Sequence, residues 1–191
     1  MNEQSKSARR RYYDGAFHSR YFVGTGLDIG AGSDSVLTFK KEFRGIEDVH
    51  AWDKPQGDAQ YLSTLPDRCF DFVHSSHCLE HMVDPTTALQ NWIRVLKSGG
   101  YLIVTIPDED MYEQGIWPSI FNQEHKHTFT IFKTDSWSKV SINVVDLVRS
   151  FPNVVVEKIQ LLSDFYVQGR VTDQTLRPNT ECAIEFIWRK K

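Results

Sequence analysis

The feature that most constrains this chain is Gly26-Leu27-Asp28-Ile29-Gly30-Ala31-Gly32, a glycine-rich turn directly after a short apolar run. Glycine carries no Cβ, so at Gly30 and Gly32 the backbone can reverse sharply and let a ligand approach closely. The spacing departs from the dinucleotide-binding turn, G-x-G-x-x-G, because Ser35 or Val36 stands where the third glycine would be. An acidic residue, Asp28, sits instead on the strand just before the turn. A carboxylate there repels a pyrophosphate and suits a ligand carrying an ammonium group or ribose hydroxyls.

Around this turn the apolar period alternates between strand-like and helix-like, which predicts βαβ units and a mostly parallel sheet. Residues 25–29, 46–52, 69–75 and 101–106 read as successive strands. Ser33 or Asp34 is expected to cap a helix whose inner face is Val36, Leu37 and Phe43. The clearest helix starts at Asp84-Pro85, buries Ala88, Leu89, Trp92, Ile93 and Leu96, and closes at Lys97 and Gly99-Gly100. Residues 142–151 read as a further helix, and 154–161 and 182–188 as two antiparallel final strands. Residues 108–139 carry Tyr112, Trp117, Phe121, Phe129, Phe132 and Trp137 with no clean period. A long aromatic connection in a compact domain is more often functional than idle.

Length and composition fit one globular domain: 191 residues, 40% hydrophobic and 25% charged. The balance of 22 Lys and Arg against 25 Asp and Glu gives a formal charge of −3, which argues against a nucleic-acid surface. Arg9-Arg10-Arg11 reads as a solvated helical face. With no signal core and no run of about 20 apolar residues, the expectation is a cytoplasmic protein without membrane insertion. Cys69, Cys78 and Cys182 form no C-x-x-C pair, so no disulfide is expected.

From Tyr21 to Pro107 the chain resembles the class I S-adenosylmethionine-dependent methyltransferases, type 11-like. The residues that carry the likeness are Gly26 to Gly32, Asp53, Gly57-Asp58-Ala59-Gln60, Phe70-Asp71-Phe72-Val73 with Ser75-Ser76-His77, Leu79-Glu80-His81, and Leu96-Lys97-Ser98-Gly99-Gly100. The resemblance implies a single Rossmann-like αβα domain over residues 1–191, with about seven strands, an antiparallel edge strand, a cap segment over 1–23 and an aromatic insert over 107–139. It also implies S-adenosylmethionine as cofactor, leaving as S-adenosylhomocysteine. Gly26, Asp28, Gly30, Ala31 and Gly32 would form its first motif, Asp53 would hold the ribose, Asp58 and Ala59 would frame the adenine, and Ser76 and His77 would contact the cofactor. Tyr13 and Arg20 would close over it, with Arg20 on the methionyl carboxylate; a helix packed on the sheet edge is the plainer alternative.

The segments 107–115 and 124–129 look like the insert of a branch of these enzymes found among bacterial polysaccharide and sugar-modification functions. The acceptor this implies is a hydroxyl of a sugar or similar small polar molecule. Such a hydroxyl must lose a proton, and His125 is the favoured base, His127 the second choice, and Asp108 a further candidate. His77 is expected at the cofactor and His81 beneath the site. No metal is expected: His74, His77, Cys78 and His81 are close in sequence but should diverge, while Asp108, Asp110 and a histidine would make a magnesium-assisted variant. Two other readings stand beside the enzyme: a cofactor-binding module without turnover, and an RNA or protein methyltransferase, which would need a docking surface.

Overall fold

The computed structural model describes residues 3–191. In chain order its elements are α1 (Glu3–Tyr13), α2 (Gly15–Tyr21), β1 (Gly24–Ile29), β2 (Ile46–Trp52), β3 (Phe70–Ser76), α3 (Pro85–Val95), β4 (Leu96–Pro107), β5 (Thr128–Thr130), β6 (Ser141–Asn143), α4 (Val144–Arg149), β7 (Val154–Leu162) and β8 (Ala183–Lys190). The main sheet runs β2-β1-β3-β4-β8-β7. The first four of these pair in parallel, and β8 is antiparallel to both of its neighbours. β5 and β6 form a separate two-stranded ladder inside the aromatic insert.

Side-chain alternation along the strands divides the core into two layers. Val73, Leu102, Val104, Phe186 and Trp188 pack on the face covered by α3 and α4, while Phe72, Ile103 and Ile187 pack on the face covered by α2. Asp84 caps α3 by accepting from the backbone N–H groups of Thr86 (2.9 Å) and Thr87 (3.3 Å), with Pro85 in the first turn. Gly99 is left-handed (φ +82°), in the irregular stretch of β4 between Leu96 and Tyr101, so the strand begins at the helix end rather than after a loop.

The sheet has six strands, not about seven. Residues 53–69 form turns instead of a strand, since Gly57, Asp58, Pro66 and Asp67 leave no period-two apolar run. The helix expected after β1 is also reduced, to one 3-10 turn over Val36–Phe39 capped by Ser35 rather than by Ser33 or Asp34. Val36 and Phe43 are buried but Leu37 is exposed, and the sheet face above is filled by Phe17 and Phe22. Asp34 instead accepts from Ser5 of α1, at its N–H (2.9 Å) and its hydroxyl (2.5 Å).

The helix expected over 142–151 is split, with β6 leading into α4 through an Asn143 cap. The two last strands pair antiparallel, but β8 lies inside the sheet and only β7 is at the edge. Nor is the arginine cluster a solvated face, for although Arg9 is exposed, Arg11 is completely buried. Its guanidinium donates to Glu185 (2.7 and 3.0 Å), Thr105 Oγ1 (3.1 Å) and His74 Nε2 (3.0 Å). No helix among the described residues is long and apolar enough to cross a membrane.

Candidate active site

Two adjoining hollows open at the carboxyl ends of β1 and β3 and share Gly30 and His77. The larger, about 880 Å³, reaches from Asp53 and Asp58 across Met82 to His81 and His125. The smaller, about 390 Å³, runs from Ala31 and Gly32 beneath Glu3 and Gln4 of α1. Both fall within the size range of small-molecule sites.

The glycine turn is shaped by what surrounds it. Gly30 is left-handed (φ +72°), and a Cβ there would lie 2.8 Å from the Cβ of Cys78. Its N–H donates to the Trp52 carbonyl (2.9 Å), and that of Gly32 to Asp53 Oδ2 (3.1 Å), tying the turn to the end of β2. Asp53 is half-buried and its other oxygen accepts from Lys54 N–H (2.8 Å). Each carboxylate oxygen keeps a free lone pair, enough to accept from two vicinal hydroxyls. Asp58 uses Oδ1 on the Gln60 N–H (2.8 Å) and keeps Oδ2. Ala59 is fixed through its carbonyl by Trp92 Nε1 (2.8 Å), and Tyr61, Met82 and Val83 give this end an apolar wall suited to a flat ring.

Other residues expected at the cofactor hold the scaffold. Asp28 is buried, and its carboxylate accepts from His74 Nδ1 (2.7 Å), the Ser35 hydroxyl (2.7 Å) and the Val36 N–H (2.8 Å). It fixes the segment after the glycine turn and also lines the smaller hollow. Gly26 lies under the Phe72 ring, where a Cβ would be 2.1 Å from Cζ, so it is a packing glycine. Arg20 is exposed and pairs with Glu157 of β7, and Tyr13 is 82% exposed beside Arg9 and Arg10, so neither lines the hollows. It is Glu3 and Gln4 of the N-terminal segment that border them. Ser76 borders the smaller hollow, and its buried hydroxyl has no protein partner.

At the far end of the larger hollow the insert returns to the chain after β3. The Glu80 carbonyl accepts from the Lys126 N–H (2.9 Å), and the Lys126 ammonium donates to the His81 carbonyl (2.6 Å). His125 is buried, and its Nδ1 donates to Glu113 (2.6 Å), itself buried. His81 Nδ1 donates to the Glu124 carbonyl (3.1 Å). His77 lies between Glu80 and Glu3, at 3.5 and 3.8 Å; burial works against its charged form, but these carboxylates outweigh it and hold its pKa above the usual value. Burial pushes the Cys78 thiol up to about 12, so it is a neutral packing group against Gly30.

Asp108 and His127 lie outside both linings. Asp108 caps the helical turn Glu109–Glu113, accepting from the N–H groups of Asp110 and Met111 (both 3.1 Å), and burial raises its pKa to about 6. His127 Nε2 donates to the Val83 carbonyl (3.3 Å). Asp110 pairs with Lys133 (2.5 Å), so Asp108, Asp110 and a histidine do not converge. His74 is held between Asp28 and Arg11, away from His77, Cys78 and His81. Two residues given no role from the sequence matter here, Glu80 and Glu113. The Leu79-Glu80-His81 motif contained a signal for the first, and nothing local marks the second.

The chain is similar in fold to several solved proteins. A Haloferax volcanii protein named as a methyltransferase, solved with the Trm112 methyltransferase activator, is 15% identical with a TM-score of 0.62, over 98% of this chain and 93% of that one. An S-adenosylmethionine-dependent methyltransferase from Thermotoga maritima is 20% identical with a TM-score of 0.54, over the full length of both. A Listeria monocytogenes protein of the same description is 16% identical with a TM-score of 0.57, over 87% and 91%. No curated protein matches the chain by sequence. Residues 16–104 match the family described as the methyltransferase domain. That match spans 89 of the 191 residues and includes the glycine turn and Asp53 at the mouth of one hollow, in a fold shared with S-adenosylmethionine-dependent methyltransferases, and S-adenosylmethionine is the cofactor.

Proposed function

We propose that this methyltransferase acts on a hydroxyl of a small polar acceptor, of the sugar or glycan-precursor class, bound at the His81 and His125 end of the larger hollow. The observation that carries the reading is the buried His125–Glu113 pair, whose histidine borders the same cavity as Asp53 and Asp58. An amine acceptor is nucleophilic once neutral, whereas a hydroxyl needs help in losing its proton, and an imidazole oriented by a carboxylate is suited to that. Gln123, Glu124 and Lys126 add polar groups for further acceptor hydroxyls.

In this arrangement Asp53 accepts from the ribose hydroxyls, Asp58 from the adenine amine, and Ser76 and His77 flank the sulfonium end. The acceptor oxygen, held roughly 3 Å from the methyl carbon and opposite sulfur, forms the new C–O bond as the C–S bond breaks. The electron pair goes to sulfur, giving a neutral thioether, and the hydroxyl proton departs at the histidine end of the hollow. The test is incubation with labelled S-adenosylmethionine and a panel of sugars, sugar nucleotides and matched amines, read by mass spectrometry. One methyl gained on oxygen is expected, with His125→Ala suppressing turnover and sparing S-adenosylhomocysteine affinity. Methylation of amines alone, or cofactor binding with no turnover on any panel member, overturns the reading.

A further inference from the structure

Glu80 is completely buried, and neither of its carboxylate oxygens has a hydrogen-bond partner in the protein. The nearest basic atoms are His77 Nδ1 at 3.5 Å and His125 Nε2 at 3.9 Å. A desolvated carboxylate without hydrogen bonds is costly, and folds keep one where a cation completes it. One ligand atom from each of Glu80, His81 and His125 lies within 4.8 Å of the others. An ion with bonds of about 2.1 Å holds its ligand atoms roughly 3–4 Å apart, so small side-chain rotations close the set.

The two imidazoles are already fixed for that role. His125 gives its Nδ1–H to Glu113 and His81 gives its own to the Glu124 carbonyl, which leaves Nε2 of each as the unprotonated nitrogen. A second hydrogen bond that sets the tautomer and orients the ring is what a metal-bound histidine requires. Two imidazoles with one carboxylate favour a transition ion over magnesium or calcium, and three protein ligands leave positions open toward the hollow.

We propose that Glu80, His81 and His125 bind one divalent transition-metal ion, of the Mn²⁺ or Zn²⁺ type, and that the methyl-accepting hydroxyl binds this ion directly. Metal binding stands on the geometry alone; the part played by the ion in catalysis rests on the hydroxyl-acceptor reading. A divalent ion lowers the pKa of a bound O–H strongly, from 15.7 to about 7 for water on zinc in a protein. The coordinated hydroxyl then sheds its proton to water at the histidine end of the hollow, and the help that His125 gives to this loss is delivered through the ion it holds.

The test uses the full chain freed of metal with a chelator and titrated with Mn²⁺, read by the loss of the free-ion paramagnetic resonance signal, with Zn²⁺, Mg²⁺ and Ca²⁺ as separate arms followed by calorimetry. One equivalent of Mn²⁺ or Zn²⁺ is expected. Glu80→Gln and His81→Ala should abolish uptake, Glu113→Gln should weaken it about 10- to 100-fold, and the exposed His50→Ala should bind as wild type. Circular dichroism and S-adenosylhomocysteine calorimetry establish that each variant is folded. Cofactor binding without stoichiometric metal uptake, or uptake unchanged in folded Glu80→Gln and His81→Ala, overturns the metal site and leaves the hydroxyl-acceptor reading standing. Metal uptake with methylation confined to nitrogen overturns that reading and leaves the site. Full-rate hydroxyl methylation in excess chelator overturns the catalytic part.

Discussion

Replacing Arg11 with methionine tests the buried charge network that ties α1 to the glycine turn. Methionine keeps an unbranched stem between Phe17 and Phe22 while removing the guanidinium, which lies 5.1 and 5.6 Å from those rings. Breaking a buried ion pair costs about 3–5 kcal/mol when the remaining charge is stranded. Here Glu185 keeps Arg10 (3.0 and 3.3 Å) and Lys158 (3.0 Å), which places the loss near the lower end of that range. Thr105 Oγ1 and His74 Nε2, both in wholly buried side chains, lose their donor, adding about 1 kcal/mol each. The expected total is about 4–5 kcal/mol, or roughly a 10–15 °C fall in Tm for a domain of this size. Urea unfolding at neutral pH, with thermal melts alongside, measures it. A loss under about 1 kcal/mol would mean that water or a shift of Arg10 replaces the network, and the reasoning would be refuted. The pH dependence gives a second check. Burial pushes the Glu185 carboxyl up, but Arg11 and Arg10 outweigh it and hold it far below the usual range. Such a depressed group stabilises the fold above its unfolded pKa of about 4.3, and that contribution fades as pH falls through lower values. The gap between wild type and Arg11→Met should therefore narrow below about pH 4.

Asp53→Asn removes the charge from the proposed acceptor of two ribose hydroxyls, and a fall in S-adenosylhomocysteine affinity of about 10²- to 10³-fold by calorimetry is expected, from about 1.5–3 kcal/mol per charged hydrogen bond; affinity within a factor of three would remove Asp53 from the site. Arg20→Ala should change that affinity by less than about twofold, because an exposed pair such as Arg20–Glu157 is worth little, and a loss of tenfold or more would place Arg20 on the cofactor. Asp108→Asn keeps a cap oxygen while removing a carboxyl whose pKa burial raises to about 6. The folded wild type holds a proton that the unfolded chain has lost, so its stability falls as pH rises from about 4 to 6. The variant should escape that fall, gaining on the order of 1–3 kcal/mol over wild type by pH 7 relative to pH 4, read from urea midpoints. Glu109→Ala leaves Thr128, Lys133, Ser136 and Ser141 without the buried carboxylate they share at 2.5–3.0 Å, and limited proteolysis should then cut first within residues 109–141.

What was legible in the sequence was local. A glycine turn after an apolar run, Asp84-Pro85 before a helical stripe, and paired strands ending in Asp53 and Ser76 are set by residues a few positions apart, and the fold places them as their patterns require. The misplaced residues are those whose partners lie far along the chain. Arg11 reads as a surface charge beside Arg9 and Arg10, and only the return of β8 brings Glu185 under it, 174 residues away. Asp28 reads as a ligand group, yet His74, 46 residues on, claims one of its oxygens. Asp108 reads as a candidate proton acceptor, whereas it caps a helical turn, and its neighbour Glu109 gathers the hydroxyls and the ammonium that fold the insert around it. The insert is what reaches Glu80, through the N–H groups of Lys126 and His127. Its aromatic residues carry no period, so neither the approach of His125 to His81 nor the pairing with Glu113 is written in any short window. The chemistry of this end of the cleft is therefore created by one long-range contact between the insert and the segment after β3, and a change anywhere along Glu109–Ser141 that loosens that contact should reach the acceptor before it reaches the cofactor.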